Sequence, residues 1–162
     1  MNDFELYSKE GKVKRQTPDF ELARSLLADS ITRIDKIKKL EINEFSKIIF
    51  ENAYDAIRDI LDALLAVDGY KSYSHEASIA YLKKYAFEDS TLRELDDFRY
   101  TRNSSKYYGK DVSEDDAREI LSFYQKYSEK IILIAKDKCP KKWTNVQKSG
   151  QIENKKKIPI KR

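Results

Sequence analysis

Between Asn43 and Gly69 apolar residues fall at Phe45, Ile48, Ile49, Ala53, Ala56, Ile57, Ile60, Leu61, Leu64 and Leu65. Steps of three and four place them on one side of a helix, whereas a strand would need alternation. No other segment carries so wide an apolar face. It predicts a long central helix, with Asn43 as its N-cap, Glu44 behind it and Gly69 as its C-terminal stop. Small Ala53 and Ala56 would let a neighbouring helix approach closely.

The rest of the chain arranges itself around that helix. Thr17-Pro18-Asp19 predicts a helix start, with Thr17 as N-cap and Pro18 in the first turn. Phe20, Ala23, Leu26, Leu27, Ile31, Ile34, Ile37 and Leu40 then form one stripe to about residue 40. Ser74 predicts the cap of a short third helix with Ala77, Ala80, Tyr81 and Leu82 turned inward. Ser90 predicts the cap of a fourth, carrying Leu92, Leu95 and Phe98. Ser113-Glu114-Asp115-Asp116 reads as a further N-terminus, with acids at the positive end of the helix dipole. Ala117, Ile120, Leu121, Tyr124, Tyr127, Ile131 and Ile134 continue that last helix to about Lys138, where Pro140 stops it. The expected fold class is all-α, an antiparallel up-and-down bundle of four to five helices over residues 18–139. Residues 1–17 read as a partly ordered arm and residues 140–162 as a basic tail, with Trp143 its one aromatic side chain. No strand alternation, internal repeat or glycine-rich phosphate loop is evident.

Composition narrows the function classes. At 162 residues the chain is long enough to bury a core as one domain. A single cysteine, Cys139, rules out an internal disulfide framework and has no neighbouring base to activate it. The acids do not gather with His or Cys at ligand spacing, so neither metal nor cofactor is expected. No apolar run approaches a membrane span and no signal-peptide pattern starts at Met1, which predicts a cytoplasmic protein without membrane contact. A charged fraction of 37% with few Gln points to a thermophilic source. The net charge of +4 is unevenly spread. Residues 136–162 hold ten Lys plus Arg against two acids, so the body before them is net acidic. Such a tail reads either as a solvated segment or as an arm that touches nucleic acid.

The densest chemistry lies between the last two helices. Arg99, Tyr100, Arg102, Asn103, Lys106, Tyr107 and Tyr108 precede the turn residue Gly109. Guanidinium groups clamp phosphate and aromatic rings stack on bases, so this stretch predicts a phosphate- and base-binding surface at the end of the fourth helix and in the following loop. A packing role is the alternative. Asp96 lies three residues before Arg99 and would form an ordinary helix-surface pair. Tyr107 and Tyr108 would then cover the bundle end or a dimer seam. Glu51 or Asp55 on the central helix could face Arg102 and orient its fork.

These pieces resemble a known family. Leu-Ala-Arg-Ser-Leu-Leu-Ala-Asp-Ser in the first long helix, Glu51-Asn-Ala-Tyr54-Asp-Ala-Ile57 in the central one, Gly69-Tyr-Lys-Ser-Tyr-Ser-His75, and Arg102-Asn103 before a last helix are together similar to HEPN domains (higher eukaryotes and prokaryotes nucleotide-binding). The resemblance spans about residues 19–138. It implies a helical homodimer that binds RNA or a nucleotide. It also implies a place in a toxin–antitoxin or defence system, often beside a small nucleotidyltransferase partner. Many members are metal-independent ribonucleases with an Arg, a polar spacer and a His. Here Arg102 and Asn103 are present, but Tyr107 and Tyr108 stand where that His is expected.

Metal-free cleavage needs a base, a cation and an acid. If the chain is an enzyme, Arg102, Asn103, Tyr107 and Tyr108 are its catalytic candidates. A free phenol has a pKa of about 10 and is a poor base, so two tyrosines favour holding a nucleotide over cutting one. The binding set is then Arg99, Arg102, Asn103, Lys106, Tyr107 and Tyr108. His75, the single histidine, reads as a helix-start or core residue and reaches Arg102 only if the short third helix folds against it. A ribonuclease and a non-catalytic protein-interaction bundle are the alternative readings.

Overall fold

In a computed structural model that describes residues 2–139, the chain forms six α-helices and one two-stranded ribbon. They run in the order α1 (Phe4–Lys9), β1 (Val13–Arg15), α2 (Phe20–Ile37), α3 (Ile42–Val67), β2 (Tyr70–Ser72), α4 (His75–Ala80), α5 (Asp89–Tyr108) and α6 (Glu114–Asp137), with a 3₁₀ turn over Tyr81–Tyr85. The protein is an all-α helical bundle. The expected basic tail, Pro140 and Trp143 lie outside the described residues.

Helix α3 is the hub and packs chiefly against α2 and α6. Phe50, Ile60, Leu64 and Leu65 are fully enclosed, as are Leu27 of α2 and Ile120 and Ile131 of α6. Each such side chain contributes roughly 1.5–3 kcal/mol by leaving water. Ala53 and Ala56 are completely buried and allow the close approach that their size predicts. There Ser30 of α2 donates to the Ala56 carbonyl (2.8 Å), which satisfies a buried hydroxyl between the helices. Two positions of the predicted stripes are exposed, Ile31 and Ile48.

Three helix starts differ from the expected ones. The α2 cap is Asp19, whose carboxylate accepts from Leu22 N (2.9 Å). Its own N–H is taken by the Ala66 carbonyl (3.0 Å), which holds Asp19 outside the helix and moves the start beyond Thr17. Helix α3 begins after Glu41 rather than Asn43, and its first turn breaks at Phe45 (φ −122°, ψ 22°). Helix α5 begins after Glu88, in extended backbone, and Ser90 instead donates to the Glu88 carboxylate (3.2 Å). Ser74 and Ser113 cap as expected, Ser113 in a reciprocal pair with Asp116.

The N-terminal segment is folded where an arm was expected. Tyr7 and Val13 are buried beside Ala77 and Ala80 of α4. Strand β1 pairs antiparallel with β2, Val13 opposite Ser72 and Arg15 opposite Tyr70. Gly69 makes this docking possible: it sits at φ +77°, and a Cβ there would meet the Gln16 carbonyl oxygen at 2.6 Å.

Candidate functional site

Helix α5 runs unbroken to Tyr108 and ends in left-handed Gly109 (φ +65°). The basic-aromatic stretch is therefore entirely helical, not a helix end plus loop. On a 3.6-residue period Arg99, Arg102, Asn103 and Tyr107 share one broad face, while Tyr108 lies about half a turn away from Arg99. The shared face borders a cleft of about 440 Å³. The cleft is also lined by Lys12, Tyr73, Ser74, His75 and Glu76. Its volume falls within the range of roughly 300–1,000 Å³ typical of small-ligand sites.

Four pieces of chain meet there. Helix α5 supplies the two guanidinium groups. The first turn of α4 brings His75 and Glu76, fixed by the Ser74 hydroxyl accepting from Ala77 N (3.4 Å). The connection after β2 brings Tyr73, which is 60% exposed. The residue before β1 brings Lys12, because Tyr73 N donates to the Lys12 carbonyl (2.9 Å). Lys12 and Tyr73 were absent from the sequence-derived set. Lys106 and Tyr108 were in it, and the structure leaves both exposed and outside the cleft.

The two arginines are held differently. Arg99 Nε donates to Asp96 (2.7 Å) and its Nη2 pairs with Glu76 (3.2 Å), so its fork is occupied and ties α5 to α4. Arg102 is more enclosed, its side chain 12% exposed. Its partner is Asp55 of α3, at a long 3.4 Å from Nη2. Its Nε is buried with no hydrogen-bond partner among the described residues. Glu51, the other expected orienting acid, accepts from Ser105 instead (3.2 Å). Arg102 is thus the cation with bonding capacity left for a ligand.

Behind the cleft stands Tyr54 of α3, 3% exposed. Its ring stacks on His75 (centroids 5.8 Å apart, planes 20° apart) and its hydroxyl lies 2.8 Å from His75 Nδ1. The Arg102 guanidinium lies 6.0 Å from the centre of the same ring. Burial pushes the Tyr54 phenol well above its usual range, against the opposing pull of Arg58, Arg99 and Arg102. Burial and the same three guanidiniums push His75 down to about 4, so the imidazole is neutral at pH 7.

The arrangement can hold an anionic oxygen at Arg102, with the positive charges of Arg99 and Lys12 lining the same cleft, and can offer the exposed faces of Tyr107 and Tyr73 to a base. Among the described residues no helix is long and apolar enough to cross a membrane. No group of three or more His, Cys, Asp or Glu there could hold a metal ion. No model of a known protein family matches the chain, and no curated protein matches it.

Proposed function

We propose that the protein is a HEPN-like domain that binds single-stranded RNA or a nucleotide in the cleft between α4 and α5. The observation that carries this reading is the convergence of Arg99, Arg102, Asn103 and Tyr107 with Lys12, Tyr73 and His75 around one 440 Å³ space. Phosphate binds the cations, and a base stacks on Tyr107, which is 67% exposed. An open cleft beside Arg102 also supports ligand binding over a purely packing role. In this reading the chain works in the cytoplasm as a homodimer. It belongs to a toxin–antitoxin or defence system with a small nucleotidyltransferase partner.

Binding of a labelled single-stranded RNA at two salt concentrations tests the site. The Arg102→Ala variant should bind markedly more weakly and with a shallower salt dependence, since one phosphate contact is gone. Equal binding by wild type and variant rejects it.

One observation favours a second reading, a metal-independent endoribonuclease: the single histidine lines the same cleft as Arg102. Tyr107, Asn103 and His75 would then surround the scissile phosphate. Incubation of the pure protein at high concentration with total RNA in chelator tests it, and intact RNA rejects it.

A further inference from the structure

We propose that Tyr54 is a positioning residue that fixes His75 as the neutral tautomer with its proton on Nε2, making the histidine a hydrogen-bond donor to a phosphate oxygen in the cleft. The tautomer follows from the protein alone. Only its ligand rests on the nucleotide-binding reading above.

The argument begins with the buried phenol. Tyr54 is enclosed, and among the described residues its hydroxyl has one hydrogen-bond partner, His75 Nδ1 at 2.8 Å. A buried O–H left without an acceptor is costly, and an imidazole nitrogen with a free lone pair is a strong acceptor. If His75 instead donated from Nδ1, the phenol proton would have nowhere to go. The phenol therefore donates, Nδ1 is bare, and a neutral ring must carry its proton on Nε2. Two features reinforce this direction. The Arg102 guanidinium lies 6.0 Å from the Tyr54 ring centre and draws electron density from the phenol, which makes its O–H a better donor. Arg58, Arg99 and Arg102 oppose a second proton on the imidazole, while Asp55 only partly offsets them.

No described residue hydrogen-bonds Nε2, and His75 lines the cleft. The nitrogen left for a ligand is thus a donor. Its natural complement is an unprotonated anionic oxygen such as that of phosphate. The same geometry disfavours His75 as a general base, because a nitrogen that already holds a proton cannot accept one.

The full chain contains one histidine, so its two ring nitrogens can be assigned without ambiguity. Long-range proton–nitrogen correlation spectra of the ¹⁵N-labelled protein at neutral pH should show a bare Nδ1 and a protonated Nε2. Tyr54→Phe keeps the ring stack and removes the donor. It should give averaged nitrogen shifts with an unchanged circular dichroism spectrum. Titration with inorganic phosphate should move the Nε2–H signal of the wild type. Affinity should fall about twofold in the variant, because only the fraction of rings with the proton on Nε2 can then donate. A wild-type proton on Nδ1, or the same tautomer in Tyr54→Phe, overturns the role of Tyr54. A locked tautomer that phosphate does not perturb overturns phosphate as the acceptor and the reading of the cleft with it, while the Tyr54–His75 lock stands.

Discussion

Arg102 of α5 faces Asp55 of α3 across a helix interface at 3.4 Å, and that loose pairing is the strongest hold on the most enclosed cation of the cleft. Arg99, one turn earlier, spends its fork on Asp96 and Glu76. The contrast assigns the two residues different work: Arg99 fastens α4 to α5, and Arg102 is held in place with donors to spare.

If Asp55 only restrains Arg102, it also competes with phosphate for the same guanidinium. Asp55→Asn should raise RNA affinity about twofold and cost about 1–3 kcal/mol of stability, because the Arg102 side chain is only 12% exposed and loses its anionic partner. Fluorescence anisotropy and urea denaturation on the same samples check both. A tenfold loss of affinity would instead make Asp55 essential to the orientation of Arg102.

Neighbouring tyrosines should behave oppositely. Tyr107 lines the cleft and Tyr108, 80% exposed, does not. Neither is packed, so neither substitution should unfold the protein. Tyr107→Ala should cost ~1–3 kcal/mol of RNA binding, the value of one stacked base. Tyr108→Ala should cost less than ~0.5 kcal/mol. Equal losses would place the base elsewhere on α5.

The long helices were legible because their apolar residues repeat at the helical period over many turns, as in Ile49 to Leu65 of α3. Caps were legible where a side chain does the capping, as at Ser74 and Ser113. Glu41 and Glu88 cap with backbone alone and leave no such mark. The ribbon was hidden for a different reason. Three residues of β1 carry no periodicity, and their partners lie almost sixty positions away at Tyr70–Ser72. One wall of the cleft was hidden with it, since Lys12 and Tyr73 enter the site only through that pairing. His75 needed the fold of α4 against α5, which the Glu76–Arg99 pair secures and which no local pattern encodes. The arginines and Tyr107 were legible from type and clustering. What divides Tyr107 from Tyr108 is helical phase along α5, which reading part of that stretch as a loop erased, whereas Lys106 shares the phase of Arg99 and still lies outside the cleft.

Two half-buried groups should titrate with opposite effect on stability. His75 holds its proton less readily when folded, its pKa pushed from 6.5 down to about 4 by burial and the nearby guanidiniums. Falling pH across that window favours the unfolded chain. Asp59 is pushed by burial from 3.8 up to about 6, although Arg33 opposes the shift. It holds its proton more readily when folded, so falling pH from about 6 to about 4 favours the fold. The two effects offset each other in the wild type, whose stability should vary little between about pH 6.5 and about pH 4. His75→Gln should become relatively more stable on acidification and Asp59→Asn relatively less. Urea midpoints at about pH 7 and about pH 5 separate them, and parallel behaviour of the two variants would contradict the assignment.

Asp68 should be the most costly single carboxylate to neutralise. It caps the C-terminus of α3, where the helix dipole disfavours an anion, yet its side chain is only 8% exposed. Burial alone would raise its pKa. Hydrogen bonds from Lys138 (2.7 Å), from the Tyr81 and Tyr85 hydroxyls and from Lys84 (3.0 Å) outweigh that and hold it well below the usual carboxylate range. The carboxylate thereby joins α3, the 3₁₀ turn and the end of α6. Asp68→Asn keeps the shape but loses the charge behind these bonds, and should cost about 2 kcal/mol at neutral pH. Because the folded pKa lies below the unfolded value of 3.8, this contribution is complete above about pH 4 and is lost as pH falls through the folded value. The stability gap between wild type and variant should therefore be constant from neutral pH to about pH 5 and shrink only under stronger acid. A gap that closes already near pH 6 would mean that Asp68 is not the anion these four donors share.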